Sequence, residues 1–184
     1  MPELRRISVQ ELYRETDKLH VGEKILLSGY VYTARDAAHK RIFALLKSGG
    51  SLPFDLKHAV IYYAGPTPSP PGKPIGACGP TTSSRMDSYA PEMLDLGLTA
   101  MIGKGERSQA VRDAIVRNHG VYLCAVGGAG ALAARCIKSL EVIAFDDLGC
   151  ESVKKLYFED FPLIVANDAH GGDIFSQGRS AYVR

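Results

Sequence analysis

Residues 75–89 read IGACGPTTSSRMDSY, and residues 126–134 read VGGAGALAA; which of the two marks a ligand site decides the fold. In the first stretch a Gly-Pro pair leads into Thr81, Thr82, Ser83, Ser84 and Arg85. A helix expected to start here would expose unpaired backbone N–H groups and the positive end of its dipole, which attract anions. The hydroxyls add donors, and the guanidinium adds a planar fork suited to a carboxylate. In the second stretch Gly128-x-Gly130-x-x-Ala133 follows an expected strand and opens an expected helix, with Asp146 or Asp147 near the spacing of a ribose contact. Only about fifty residues follow it, too few for a βαβαβ unit and a substrate domain. Small residues there also serve close helix–sheet packing, so the dinucleotide reading is set aside.

Outward from these stretches, the chain has the length of one domain, expected to span 1–184 without internal repeats. Hydrophobic residues are 46% and charged residues 23%, enough apolar content for a core without staples. The formal charge is +2, from 22 basic and 20 acidic residues, which gives no electrostatic footprint for nucleic acid. The amino terminus has no apolar stretch of the signal-peptide kind. No run reaches the roughly eighteen apolar residues of a membrane span, so a cytoplasmic location is expected. Cys78, Cys124, Cys136 and Cys150 form no CxxC pair and have no histidine at zinc-finger spacing. They read as reduced and structural, with no metal ligands expected. Cys124 reads as a strand core residue, and Cys78, beside the hydroxyls, as the cysteine nearest to chemistry.

Periodicity gives an amphipathic helix or entry segment at 7–20, a strand at KILLSGYVYTAR around Gly29, and a helix ending at Gly49-Gly50. HAVIYYAGP is a strand, followed by a proline-rich surface loop through residue 80. MDSYAPEMLDLG reads as a helix restarted at Pro91, LTAMIGKG as a strand, and ERSQAVRDAIVRNHG as an amphipathic helix. VYLCAVGG is a strand, AGALAARCI a short helix, and the last strands lie in LEVIAFDDLG and KKLYFEDFPLIVANDAHGG. This alternation implies a mixed α/β sheet.

Four further residues join the hydroxyl cluster as candidates. Lys104, between two glycines at a strand end, is either a solvated loop lysine or a mobile positive charge where open α/β sheets bind ligands. Arg35 stands at the carboxyl end of a strand with no evident structural duty. Asp36 next to it reads as an N-cap, and His39, one turn on, as a satisfied buried histidine. Three cations with hydroxyls suit a small dianion.

RDAAHK, IYYAGP, GPTTSSRMD, AMIGKG and FPLIVANDAHG occur in the order found in the carboxyl-terminal part, or β subunit, of class I iron–sulfur fumarate hydratases. The chain resembles that family, and the related tartrate dehydratase β subunits, over roughly residues 20–175. The resemblance implies a swivelling β/β/α domain. It implies the β subunit of a two-component hydro-lyase, inactive alone, that hydrates fumarate reversibly to malate. The [4Fe–4S] cluster would be bound by a cluster-bearing α subunit and not by this chain, in a hetero-oligomer of the two. By position, Arg35, Arg85 and Lys104 match dicarboxylate-binding residues and Thr82 a substrate-contacting hydroxyl. Thr81 matches a threonine assigned as base, a demanding role for a hydroxyl at neutral pH, which leaves the proton acceptor open. Asp36 and His39 match the motif in positions that support Arg35. Tartrate or another 2-hydroxy diacid is the alternative substrate, and a non-catalytic anion-binding module is the alternative of a different class.

Overall fold

The computed structural model describes residues 4–180, with side chains through residue 178. Strands are β1 (Arg5–Ser8), β2 (Lys24–Thr33), β3 (Val60–Tyr62), β4 (Ala100–Gly103), β5 (Val121–Cys124), β6 (Ile137–Ala144) and β7 (Val153–Asn167). Helices are α1 (Val9–Glu15), α2 (Asp36–Ser48), α3 (Ala90–Asp95), α4 (Gln109–Arg117), α5 (Gly130–Arg135) and α6 (Ile174–Ser180). The strand order is β1-β2-β3-β4-β5-β7-β6, and β2 also pairs with β7. That extra pairing closes β2, β3, β4, β5 and β7 into a five-stranded barrel. Its first four strands run parallel, while β7 is antiparallel to both neighbours.

Closure follows from side-chain alternation. Ile25, Leu27 and Val31 of β2 face the barrel interior with Val60 and Tyr62, Ala100 and Ile102, Val121 and Leu123, and Phe158 and Phe161. The intervening Ile61, Met101 and Tyr122 face outward, where Ile42 of α2, Met93 of α3 and Ile115 of α4 cover them. Strands buried on both faces read as continuous apolar runs, as parallel strands do. β7 carries Pro162 within its length and kinks at Asp160, whose φ is 48°. Its register against β2 shifts between Leu27 and Gly29. A proline cannot donate to a ladder, and a bulge is where a strand tolerates it.

The expected mixed α/β organisation is present, and α3 begins at Ala90 with Pro91 in its first turn. The structure adds β1, which pairs parallel with β2 ahead of the amphipathic helix. HAVIYYAGP is regular strand only over Val60–Tyr62, because Ala64 turns to bridge Pro80. No helix among the described residues is long and apolar enough to cross a membrane.

The VANDAHGG stretch lies at the barrel end where the parallel strands begin, since Asn167 pairs with Tyr122 at the start of β5. There Asp168, 4% exposed, accepts backbone N–H bonds from Val21 at 2.9 Å, His170 at 3.0 Å and Gly172 at 2.8 Å. Asp168→Ala leaves these three donors without their acceptor and is expected to lower the unfolding free energy by about 3 kcal/mol. Urea denaturation at an unchanged m-value checks it; a loss below about 1 kcal/mol would mean water serves those amides equally well.

Candidate active site

The carboxyl ends of β2, β3, β4 and β5 lie side by side at the other end of the barrel, and four loops leave from there. Arg35 follows β2 with extended backbone and stands as N-cap of α2. Its Nη2 lies 3.4 Å from Glu151 Oε1, and Glu151 Oε2 accepts the Ala37 N–H at 3.0 Å. Glu151 therefore does the capping expected of Asp36. It is anchored by a 3₁₀ segment, Asp146–Glu151, whose carbonyls at 149 and 150 accept from Lys154 Nζ. Opposite, a Cβ added to Gly65 would stand 2.8 Å from Arg35 Nη1 and 3.1 Å from the Cys150 carbonyl, so a larger residue there would push the guanidinium from its place. Arg35 Nε is buried without a hydrogen-bond partner.

Asp36, the first residue of α2, turns its carboxylate to Arg85. Nε donates to Oδ1 at 3.0 Å, and Nη2 lies 2.8 Å from Oδ2. The two side chains are 48% and 36% exposed, so the pair is worth less than about 1 kcal/mol of stability. His39 is buried beneath, its Nδ1–H donating to the Arg35 carbonyl at 2.8 Å and its ring packed against Tyr89 and Tyr63. Burial pushes its pKa down to about 4, outweighing the hydrogen bond to Arg35, so the ring is neutral.

The hydroxyl segment runs beside the end of β4. The Thr81 N–H donates to the Tyr63 carbonyl at 2.8 Å, and Thr82 and Lys104 form a parallel bridge. Through it the Lys104 N–H reaches the Thr81 carbonyl at 3.3 Å, and the Ser83 N–H reaches the Lys104 carbonyl at 2.9 Å. Thr82, Ser84, Arg85 and Lys104 are exposed, Thr81 is partly covered, and Ser83 is buried. The segment is not the start of an α-helix, as the sequence suggested. Ser83–Met86 is a four-residue 3₁₀ turn, and the α-helix begins only at Ala90. So short a turn aligns few peptide dipoles, and the positive character of the face comes from its side chains. Ser83 also leaves the ligand set, because its Oγ and the Gly105 carbonyl both lie 2.8 Å from the Tyr122 hydroxyl. That phenol has one proton, so it donates to the carbonyl and accepts from Ser83.

Sequence reasoning passed over the pair that holds this segment. Arg107, whose side chain is fully buried, donates through Nε to Asp87 Oδ1 at 2.7 Å and through Nη1 to Met101 Sδ at 3.3 Å. The rings of Tyr122 and Tyr63 lie 4.9 and 5.4 Å from its Cζ, and its Nη2 is buried without a partner. Burial alone would lower the Arg107 pKa, but Tyr63, Asp87 and Tyr122 more than offset it and keep the guanidinium charged. The signal was Asp87 at the end of GPTTSSRMD and an arginine three residues past Lys104; each looks like a surface charge on its own.

Cys78 is displaced from the chemistry it was placed near. It is fully buried, burial pushes its thiol up to about 12, and its carbonyl accepts from the Tyr62 hydroxyl at 2.7 Å. Burial also raises Cys124 and Cys136, and among the described residues no three His, Cys, Asp or Glu are grouped to hold a metal ion. A [4Fe–4S] cluster needs converging thiolates; the cysteines of this chain do not fit one. In the glycine run, a Cβ on Gly130 would stand 3.0 Å from Gly79 N, and the Cys78 N–H donates to the Gly130 carbonyl at 3.0 Å. That glycine permits a backbone crossing.

Arg35 and Asp36 are neighbours at the start of α2, Asp36 pairs with Arg85, Thr82 bridges Lys104, and residues 82–85 connect those two contacts. This defines the class: a mixed α/β barrel whose parallel-strand ends carry Arg35, Thr81, Thr82, Arg85 and Lys104 on adjoining segments, with Thr82, Arg85 and Lys104 exposed. The family model for the fumarase C-terminus matches residues 2–178, and the chain belongs to that family. It is 40% identical over 172 residues to the anaerobic class I fumarate hydratase of Escherichia coli (strain K12), covering 92% of this chain and 31% of that protein. It is 37% identical to fumarate hydratase 2 of Leishmania major, over 92% of this chain and 30% of that one. With a putative L(+)-tartrate dehydratase subunit beta of Methanocaldococcus jannaschii identity is 39%, over 89% of this chain and 87% of the relative. The chain spans about a third of the length of the curated fumarate hydratases it matches.

Two measurements test the site's construction. Arg107→Met strands a carboxylate that is mostly buried, so a loss of about 3–5 kcal/mol is expected, with Asp87→Asn/Arg107→Met losing clearly less than the sum of its single changes. Additive losses in chemical denaturation would mean that the pair does not act as a unit. His39 supplies the second. Its folded pKa lies below the unfolded value near 6.5, so the unfolded chain takes up the proton first as pH falls. Its stabilising effect is complete above about 6.5, fades toward pH 4, and amounts to about 3 kcal/mol across that window. His39→Leu is expected to flatten that part of the stability–pH curve; an unchanged slope would place the titration elsewhere.

Proposed function

We propose that this chain is the β subunit of a two-component class I fumarate hydratase, adding water reversibly to fumarate to give malate. The observation that supports the reading is that the segments carrying Arg35, Arg85, Thr81, Thr82 and Lys104 adjoin at the parallel-strand ends, in a chain of this family. In this reading the domain is single, spans 1–184, and is of the swivelling β/β/α type. The [4Fe–4S] cluster, which supplies Lewis-acid chemistry when bound, belongs to a partner α subunit.

Arg35, Arg85 and Lys104 bind the two carboxylates, and Thr82 donates a further hydrogen bond. Losing a proton next to a carboxylate spreads negative charge into that carboxylate, and cations fixed there before the reaction stabilise the charge as it forms. Asp36 holds Arg85 from behind, and His39 and Glu151 fix the backbone and guanidinium of Arg35, so the clamp is oriented before substrate arrives. Thr81 stands on the same segment, where its hydroxyl can carry a proton to or from the substrate carbon only with cationic support or a further acceptor.

A second reading, supported by the near-complete coverage of the Methanocaldococcus jannaschii relative, keeps the clamp and changes the substrate to tartrate. Both diacids fit the same cations, and turnover of malate and tartrate side by side separates them. A non-catalytic anion-binding module is the reading that activity would exclude. In the complex with its cluster-bearing partner, Arg85→Ala is expected to lower kcat/KM at least 100-fold, about 3 kcal/mol of lost charged hydrogen bonding. Activity within twofold of wild type would overturn the assignment of Arg85.

A further inference from the structure

Beyond β5 the chain leaves the barrel next to Lys104 and forms an arm through α5 with an apolar outer side. Val126 and Leu132 are 64% and 60% exposed, the highest values among the described large hydrophobic side chains that are exposed. They line a groove of about 370 Å³ with Ala129, Ala133, Phe161 and Pro162, and Arg135 is the charged residue in its wall. A second groove of about 240 Å³ shares Val126 and Pro162 and extends the surface past Leu163. The arm is continuous with the candidate active site: a Cβ on Gly127 would stand 3.4 Å from Lys104 Cδ and 3.9 Å from Nζ.

We propose that this arm is the seat of the cluster-bearing polypeptide, with Val126 and Leu132 as its apolar anchors. The inference rests on the function proposed above and adds where the partner docks. A polypeptide that covers Lys104 from the Gly127 side meets this groove next. Apolar anchors in a pocket beside a charged, wetter border are the usual make-up of a specific interface. The occupant is large, because the chain accounts for only 31% of the Escherichia coli relative's length and for 87% of the Methanocaldococcus jannaschii subunit's. A second copy of this chain fits less well. It would bring cysteines that do not fit a cluster, so the face beside the arm would be covered without being completed.

The test uses this chain and the polypeptide from the same genome that matches the remainder of the single-chain fumarate hydratases, with association measured by calorimetry and native mass spectrometry. Leu132→Asp and Val126→Asp are each expected to weaken association about 30-fold or more. Val116→Asp, at a residue 39% exposed on α4, is expected to leave it unchanged. The melting temperature of the free chain reports whether each variant folds. If an aspartate variant fails there, p-benzoylphenylalanine in place of Leu132 gives the answer by crosslinking to the partner. Wild-type binding by both aspartate variants, or crosslinks confined to a second copy, overturns the proposal. Hydratase assay of the same complexes keeps the two inferences apart. A complex that needs Leu132 but hydrates no diacid sinks the function and leaves the interface, whereas an active complex indifferent to Leu132 and Val126 sinks the interface alone.

Discussion

The buried Asp87–Arg107 pair is the constraint on which the face above it depends. Taking a guanidinium out of water costs several kcal/mol, and well-packed apolar side chains could replace such a pair with little loss of stability. Its value lies in what it aligns. Asp87 closes the turn that carries Arg85, and Arg107 stands three residues past Lys104, so the ion pair pins together two segments otherwise joined by a few backbone bonds. Asp87 also accepts the Ser108 N–H at 2.6 Å, which fixes the entry to α4. Tyr122 reinforces the same junction from β5, holding Ser83 on one side and the Gly105 carbonyl on the other. Two charged contacts and one phenol set the position of two threonines and a lysine.

The barrel makes that junction rigid. Tyr62 and Tyr63 are adjacent and both fully buried, one facing the interior and the other the helices. A strand committed on both faces cannot slip by one residue without exchanging its two apolar sets. Rigid strand ends then allow exposed side chains to keep a fixed spacing that their own contacts could not maintain. The Arg85–Asp36 pair is too wet to stabilise the fold. It orients a cation whose position the barrel has already set.

Much of this was legible in the sequence, and the omissions have physical causes. The alternation in β2 and the 3.6-residue pattern of α2 and α4 are local, so their periodicity was readable. Barrel closure depends on β7 pairing with β2, partners more than a hundred residues apart, and Pro162 argues locally against any strand there. The candidate residues were legible because GPTTSSRMD and GKG each place several functional groups within a short span. Arg107, Tyr122 and Glu151 were not, because a buried pair, a shared phenol proton and a borrowed helix cap arise only when distant segments meet. The glycine run, set aside as a dinucleotide site on its sequence alone, has a cause of the same kind: Gly130 lies against the backbone at Gly79, a neighbour the local pattern does not contain.

The openness of the face has a consequence for how the proposed enzyme would work. At the surface, an Arg–carboxylate contact near 4 Å is worth about 1 kcal/mol in bulk water, and several-fold more once the effective dielectric falls to about 20. Arg85 at 48% exposure and the exposed Lys104 are therefore weak ligands while water reaches them. A partner seated on the apolar arm beside Gly127 would remove that water without moving either cation. In the proposed enzyme the same closure would strengthen the grip on both carboxylates and on the charge that forms when the proton leaves. Assembly then does for this half-site what lid closure does for a single-chain enzyme. An apolar surface next to the cations would serve that proposed closure, because its burial expels water at the same border.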